Sequence, residues 1–586
     1  AEARLAYLRG DRSNEGKGHG FRKRKTVLGD IVHSKAVYVA EPPRRNLVEK
    51  KHYPKGRHAY SNFMKKYEGR KGVLYVGAND GALHAFNASD GKELFAYLPG
   101  NLFSNKKNQG YHYLTDPEYS HRYYVDGTPS VSDAFIKGAG GERWRTVLIG
   151  SQRAGGRGLF ALDVTVPHAM TEANAKNVVM WEFTNKDDPH LGYTYSKPII
   201  GMMPNGRWAA IVGNGYRDTA SDGTGGQAQL FVLFLDGGLD GEWTEGKDYV
   251  RIPTGVGSPT DRNGLSTPSA VDTDGDWLVD RVYAGDLWGN MWAFDVSDMN
   301  PSKWKKGAGL LFAGDRKQPI TTRPSVTKNM KKPRGSAPNL MVMFGTGRYL
   351  APGDGGVTDG QSYYGVWDNG ARKLRRRNLT RQRFLLTDEK RGARVIDPDL
   401  KINYGLKSGW YVDFPVAGER VVTDSVATGG LVHFNTQITA AKKACEAGGS
   451  GWTMSLRIAN GGSPIGAAFD FDGDDEISDA DTRGFSIGGV MKKTGYAGKK
   501  FASDIDIPGG VAINEGRRYM PGTKSKDASE VDQQKIIIPK SLPSGRLSWM
   551  ELQLAFRGPS LTSDELKAAY DAYVKEETGM NVMGYH

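Results

Sequence analysis

The chain has 586 residues, with 77 glycines, 10% aromatic residues and a net charge of +13 from 79 Lys plus Arg against 66 Asp plus Glu. That length exceeds one ordinary hydrophobic core unless a closed architecture repeats a unit, and the glycine-aromatic mix favours short strands joined by tight turns. A single cysteine, Cys445, excludes an intramolecular disulfide and a cysteine-based zinc cluster. The basic residues are scattered, with clusters at 22–25 and 372–377 and no recognition-helix pattern, so nucleic acid is not expected as the main partner.

The chain carries neither a signal peptide nor an apolar run long enough for a membrane span. It starts AEARLAYLRGD, which reads as the interior of a longer protein, so an excised C-terminal region is expected. Residues 1–30 form a polar, basic lead-in containing Arg9, Gly10 and Asp11. That tripeptide is the known integrin-binding signal, and its alternative reading is a local salt-bridged turn.

From about residue 31 a unit repeats. One half is a Ser/Thr-x-Pro lead-in, or a relative of it, followed by an apolar strand: HSKAVYVA (33–40), GTPSVSDAF (127–135), SKPIIGMM (196–203), STPSAVD (266–272) and TRPSVTK (322–328). Proline is tolerated where a strand begins, because its missing N–H breaks no ladder bond there. The other half is strand, glycine turn, strand, as in VLYVGANDGALHAFNASDG (73–91), VLIGSQRAGGRGLFALDVT (147–165) and VYAGDLWGNMWAFDVS (282–297). Related pairs follow at 208–238 and 341–370, with further candidates at 418–439 and 452–472, and strands near 509–514 and 535–538 would complete the last unit. Such units cannot bury both faces alone, and stacking them around an axis solves this. The expected fold is all-β: a β-propeller over 31–540 of about seven blades, six or eight being allowed. The basic stretch 372–397 is expected as an irregular, mobile excursion. The terminal segment 541–586 is expected to hold a helix, with Thr562 and Glu565 at capping-box spacing and Leu566, Tyr570, Tyr573 and Val574 on one face.

Two acidic loops carry the chemistry. In DTDGDWLVD (272–280), Asp272, Asp274, Asp276 and Asp280 hold positions 1, 3, 5 and 9, and Leu278 offers a carbonyl at 7. Alternate side chains converge in a closing loop, and an all-oxygen anionic cage is what Ca²⁺ prefers. The bulky run Trp277, Leu278, Val279 argues against a solvated acidic turn, the alternative reading. The loop is not a full EF-hand: Trp277 replaces the usual glycine, and Val282 stands where the closing carboxylate belongs. It is expected between strands, fastening a hairpin. In DFDGDDEISDAD (470–481), Asp470, Asp472, Asp474, Glu476 and Asp481 hold positions 1, 3, 5, 7 and 12, Glu476 contributing its carbonyl. Its alternative is an acidic hairpin tip.

The strings GDIVHSKAVYV, VLYVGANDGALHAFNASDGKELFAYLP, MFGTGRYL followed by YYGVWD, and GERVVTD, FNT, Cys445 and GGSGW resemble, in order, the C-terminal domain of the PilY/PilC family of type IV pilus tip adhesins. The resemblance runs from about residue 5 to 480, is weaker beyond, and includes no N-terminal von Willebrand A-like region. It implies a modified quinoprotein-like propeller, with Asp272, Asp274, Asp276, Leu278 and Asp280 as its calcium loop. It also implies an extracellular, outer-membrane-associated place at the pilus tip (the fimbrium), with minor pilins and a host-cell or abiotic surface ligand as partners. The implied role is adhesion and calcium-dependent control of pilus extension against retraction, hence twitching motility and virulence. The rival reading is a pyrroloquinoline-quinone dehydrogenase, since FNASDGKELFAY resembles its tryptophan-docking repeat. Here that repeat has Phe95 in place of Trp and does not recur, one cysteine cannot make a vicinal disulfide, and the eleven scattered histidines form no acid–base constellation. His84 is read as a packed neighbour on a strand. No enzyme is expected.

Overall fold

The computed structural model describes residues 2–43, 52–137, 140–439 and 449–501, apart from 17, 19, 333, 475, 488 and 489, together with three short strands between 512 and 535. Cys445 and the helix expected in 541–586 lie outside the described residues, as does most of the strand expected at 535–538.

The proline lead-ins mark strand starts. Pro129, Pro198, Pro268 and Pro324 each stand immediately before a strand. The lead-in serines add a second device: the Ser34 hydroxyl oxygen accepts from Gly77 N at 2.9 Å, and that of Ser196 accepts from Gly213 N at 3.0 Å. Each bond ties the lead-in to the glycine that ends a following strand.

The first sheet takes β1 (Val37–Val39), β2 (Val73–Gly77), β3 (Leu83–Asn87) and β4 (Glu93–Tyr97) in sequence order, every neighbour antiparallel. The second repeats this with β5 (Ser130–Ile136), β6 (Arg143–Ser151), β7 (Gly158–Asp163) and β8 (Val179–Thr184). The third does so with β9 (Ile199–Met202), β10 (Trp208–Gly213), β11 (Gln229–Phe234) and β12 (Tyr249–Pro253). The fourth runs β13 (Ser269–Val271), β14 (Arg281–Gly285), β15 (Met291–Asp295) and β16 (Ala308–Phe312). Central strands such as β10 and β11 are buried along their whole length, as strands covered on both faces must be.

The fifth and sixth sheets depart from the four-stranded unit. β17 (Ser325–Lys328), β18 (Leu340–Gly345) and β19 (Ser362–Asp368) are followed in the sheet by β23 (Gly409–Asp413), and then by β20 (Thr380–Gln382), which pairs with β23 in parallel. β21 (Phe384–Asp388) and β22 (Ala393–Ile396) form one end of a six-stranded sheet that also holds β24 (Val426–Thr428), β25 (Leu431–Thr439), β26 (Gly449–Arg457) and β29 (Gly498–Lys500). A hairpin of β27 (Thr482–Ile487) and β28 (Val490–Gly495) stands apart. The basic stretch 372–397 is therefore not the irregular excursion that its composition suggests. It supplies three strands, because buried Leu374, Leu379, Val395 and Ile396 tie it to the core between its charges.

Cα packing divides the chain into two compact units. One comprises Ala1–Ala270, Asp276–Asp280 and Phe294–Ala308, and the other Val271–Gly275, Arg281–Ala293 and the described residues from Gly309 onward. In the first, one core gathers Tyr75, Leu83, Leu102, Leu148 and Phe160. In the second, the rings of Tyr363, Trp410, Phe434 and Trp452 form a core together with Met454.

Candidate metal-binding loops

The segment 272–280 joins β13 to β14, adjacent strands of one sheet, as expected of a loop fastening a hairpin. Its shape is set locally. Asp272 Oδ1 accepts from Gly275 N at 2.6 Å, and Asp276 Oδ1 accepts from Leu278 N at 2.8 Å. Gly275 and Trp277 both have left-handed backbones, φ +89° and +76°. For Trp277 that conformation is unfavourable, and burial of Trp277, Leu278 and Val279 holds it in place. Val279 N donates to Met202 O at 2.9 Å, and Asp280 O accepts from Val296 N at 2.8 Å.

Asp272, Asp274 and Asp276 each bring a carboxylate oxygen within 4.8 Å of the others. Two oxygens on opposite sides of one calcium, each about 2.4 Å away, stand about 4.8 Å apart, so the three can share an ion. Asp280 is not one of this group, and the Leu278 side chain is buried. Asp272 is buried and Asp274 exposed, which leaves the cluster open on one side. His52 Nε2 lies 3.5 Å from Asp276 Oδ2, a neighbour that sequence spacing could not reveal. A hard, oxygen-only donor set fits Ca²⁺.

In 470–481 the group is Asp470, Asp472 and Asp481, again within 4.8 Å; Asp474 and Glu476 are exposed and outside it. The closing acid Asp481 is almost fully buried. Its Oδ1 accepts from Phe471 N at 2.5 Å and its Oδ2 from Ser478 N at 2.9 Å, so it staples both ends of the loop through the backbone. Asp474 Oδ1 instead accepts from Glu476 N at 2.7 Å. Asp472 has its pKa raised, by desolvation first and then by the charges of Asp474 and Asp481, which outweigh the hydrogen bond from the Asp474 backbone. A cation placed among these carboxylates would relieve that repulsion.

Arg9, Gly10 and Asp11 continue the turn that ends the helix Glu2–Leu8. Arg9 pairs with Glu172, Asp11 Oδ1 accepts from Ser13 N at 2.8 Å, and Asp11 O accepts from Arg24 at 2.9 Å.

Two side-chain networks carry no motif, the first around buried His84 and the second fully buried. His84 on β3 is packed, stacking on Phe86, and is also held by two carboxylates: Nδ1 lies 2.5 Å from Glu93 Oε1 and Nε2 lies 3.0 Å from Asp80 Oδ1. Burial opposes its charge, yet hydrogen bonds to and charges on both carboxylates prevail and raise its pKa to about 9. Arg394 on β22 grips Glu419 with two bonds of 2.5 and 2.8 Å, both side chains being fully buried. An Asp–x₃–His spacing hinted at the first network; nothing in the sequence signalled the second.

Repeated four-stranded antiparallel sheets, with acid-lined loops fitted to a hard divalent cation, define the class: an all-β, propeller-type chain with candidate cation-binding loops. The family model described as the PilY1 beta-propeller domain matches residues 28–389, and the chain belongs to that family. It is 34% identical over 585 residues to a type IV pilus biogenesis factor PilY1 homolog of Xylella fastidiosa, covering 93% of this chain and 38% of the relative. It is 35% identical over 517 residues to type IV pilus biogenesis factor PilY1 of Pseudomonas aeruginosa strain PAK, covering 80% of this chain and 41% of that protein. The chain thus spans about two fifths of the length of these curated relatives. The crystal structure of the Pseudomonas aeruginosa PilY1 C-terminal domain superposes with a TM-score of 0.63 at 28% identity, covering 85% of this chain and 99% of that one. The fold is a β-propeller, as the repeats implied.

Proposed function

We propose that this chain is the calcium-binding propeller region of a type IV pilus biogenesis factor. It acts outside the cell at the pilus tip, in association with the outer membrane, against minor pilins on one side and a host-cell or abiotic surface on the other. The observation that carries this reading is the cluster of Asp272, Asp274 and Asp276 between β13 and β14, inside the stretch matched by the family model. Calcium neutralises three carboxylates that repel one another, orders the loop, and biases the neighbouring surface toward one partner-bound state. That bias is the means by which calcium occupancy tunes pilus extension against retraction. The role is one of binding and not of catalysis. Among the described residues no helix is long and apolar enough to cross a membrane.

The test is calorimetric calcium titration of the purified chain after chelation, beside Asp274→Ala and Asp472→Ala. Two sites are expected, each abolished by its own substitution, with both variants still folded. Absence of calcium binding would sink the reading, and a bound quinone with dehydrogenase activity would replace it.

A further inference from the structure

Seven cationic side chains fall between Arg372 and Arg383. Three carboxylates meet some of them: Asp368 pairs with Arg372, Asp413 with Arg376 and Arg381, and Asp397 with Arg383. Among the described residues no carboxylate pairs with Lys373, Arg375 or Arg377, all three exposed. Arg381 and Arg383 remain about 70% exposed despite their partners.

The backbone beneath this charge is pinned. Lys373 N donates to Leu310 O at 2.6 Å and Leu374 N to Leu311 O at 2.9 Å, while Lys407 Nζ and Ser408 N hold the carbonyls of Arg377 and Asn378. β20 lies parallel to β23, and buried Gln382 donates to Asn460 O at 2.6 Å. Arg381 lies on β20, and Arg383 follows Gln382 immediately past the end of that strand. Lys373 sits at φ +58°, a left-handed backbone fixed by those two bonds to β16. Like charges on a fixed backbone repel one another, and folding gains nothing from concentrating them. A polyanion would gain.

We infer that Lys373, Arg375, Arg377, Arg381 and Arg383 form a docking row for a sulfated polysaccharide. Guanidinium forks match the paired oxygens of a sulfate ester. The row runs along one eleven-residue segment, which suits a single-file polyanion better than the two phosphate rows of a DNA duplex. The rings nearby are withheld from base stacking: Arg376 covers Tyr411 at 4.2 Å, Tyr364 is buried, and Arg394 approaches Phe384 at 5.3 Å. The row names a ligand class for the surface attachment proposed above and rests on that reading for its setting.

Heparin binding by the full 586-residue chain is measured across a salt series in chelator, so its failure is separable from failure of the calcium titration. The parent is compared with Lys373→Gln/Arg375→Gln/Arg377→Gln, and with a charge-matched control, Lys65→Gln/Lys106→Gln/Lys107→Gln. The first triple is expected to bind at least about tenfold more weakly, with a salt slope reduced by about three, one for each cation removed. The control is expected to match the parent, unsulfated hyaluronan not to bind, and both triples to keep the parent's circular dichroism. Equal loss in the control would reduce the effect to net charge. A DNA duplex bound as tightly as heparin, or no heparin binding by the parent, would overturn the assignment.

Discussion

His84 shows what one titratable side chain adds when two carboxylates hold it. Its pKa is raised from the ordinary value of 6.5 to about 9, so both ring nitrogens donate at neutral pH, one to Glu93 and one to Asp80. The folded state holds this proton more tightly than the unfolded chain, so the stabilisation is full below about pH 6.5 and is lost as pH rises through about 9. Relative to His84→Gln, the parent is expected to lose on the order of 3 kcal/mol of stability across that window, read by urea unfolding at several pH values. Parallel pH profiles for the two proteins would show that the ion pairs contribute nothing. The signal available in the chain was an Asp four residues before a His; that Glu93 comes back across the hairpin depends on the β3–β4 register.

At the scale of the strand, glycine is placed where an aromatic ring of the neighbouring strand needs its space. Gly150 lies directly opposite Phe160 and Gly365 opposite Trp410. A Cβ would come within 2.1 Å of the Phe160 ring and 2.4 Å of the Trp410 indole. The indole N–H donates to Ile458 O at 2.8 Å, so it cannot move without losing a buried hydrogen bond. Gly365→Ala is therefore expected to destabilise the chain by about 2–4 kcal/mol, from overpacking plus the broken bond. Thermal unfolding checks this, and a midpoint within a degree of the parent would mean that the indole relocates freely. The apolar runs around a glycine turn that mark β18 and β19 as strands were legible. The ring-on-glycine pairing was not, because it needs the register between paired strands, which for Gly365 and Trp410 lie 45 residues apart in the chain.

For the whole molecule, calcium and stability are linked by mass action. An ion bound only by the folded chain at about one hundred times its dissociation constant adds about 2.7 kcal/mol per site. The unfolding temperature is therefore expected to rise with calcium and fall with chelator, the rise being reduced in Asp274→Ala and in Asp472→Ala. An unchanged temperature across the series would show that neither loop binds calcium in the native state. Since Asp472 has its pKa raised, this gain should begin to fade at a higher pH than an ordinary aspartate would set.

Much of this protein could be read from short-range order. Proline before a strand, glycine in a turn and acids at alternate positions act through φ, ψ and the two-residue pleat, so DTDGDWLVD and the Ser/Thr-x-Pro repeats declare themselves. Packing decided the rest. It selected Asp272, Asp274 and Asp276 for one cluster and left Asp280 outside it, and it turned Asp481 into a backbone staple. It also fastened the basic stretch by bonds such as Lys373 to Leu310, and buried Arg394 against Glu419. These outcomes join groups far apart in the chain or depend on how a loop closes against its surroundings, and side-chain spacing carries no information about such distances until strand registers and core contacts are set.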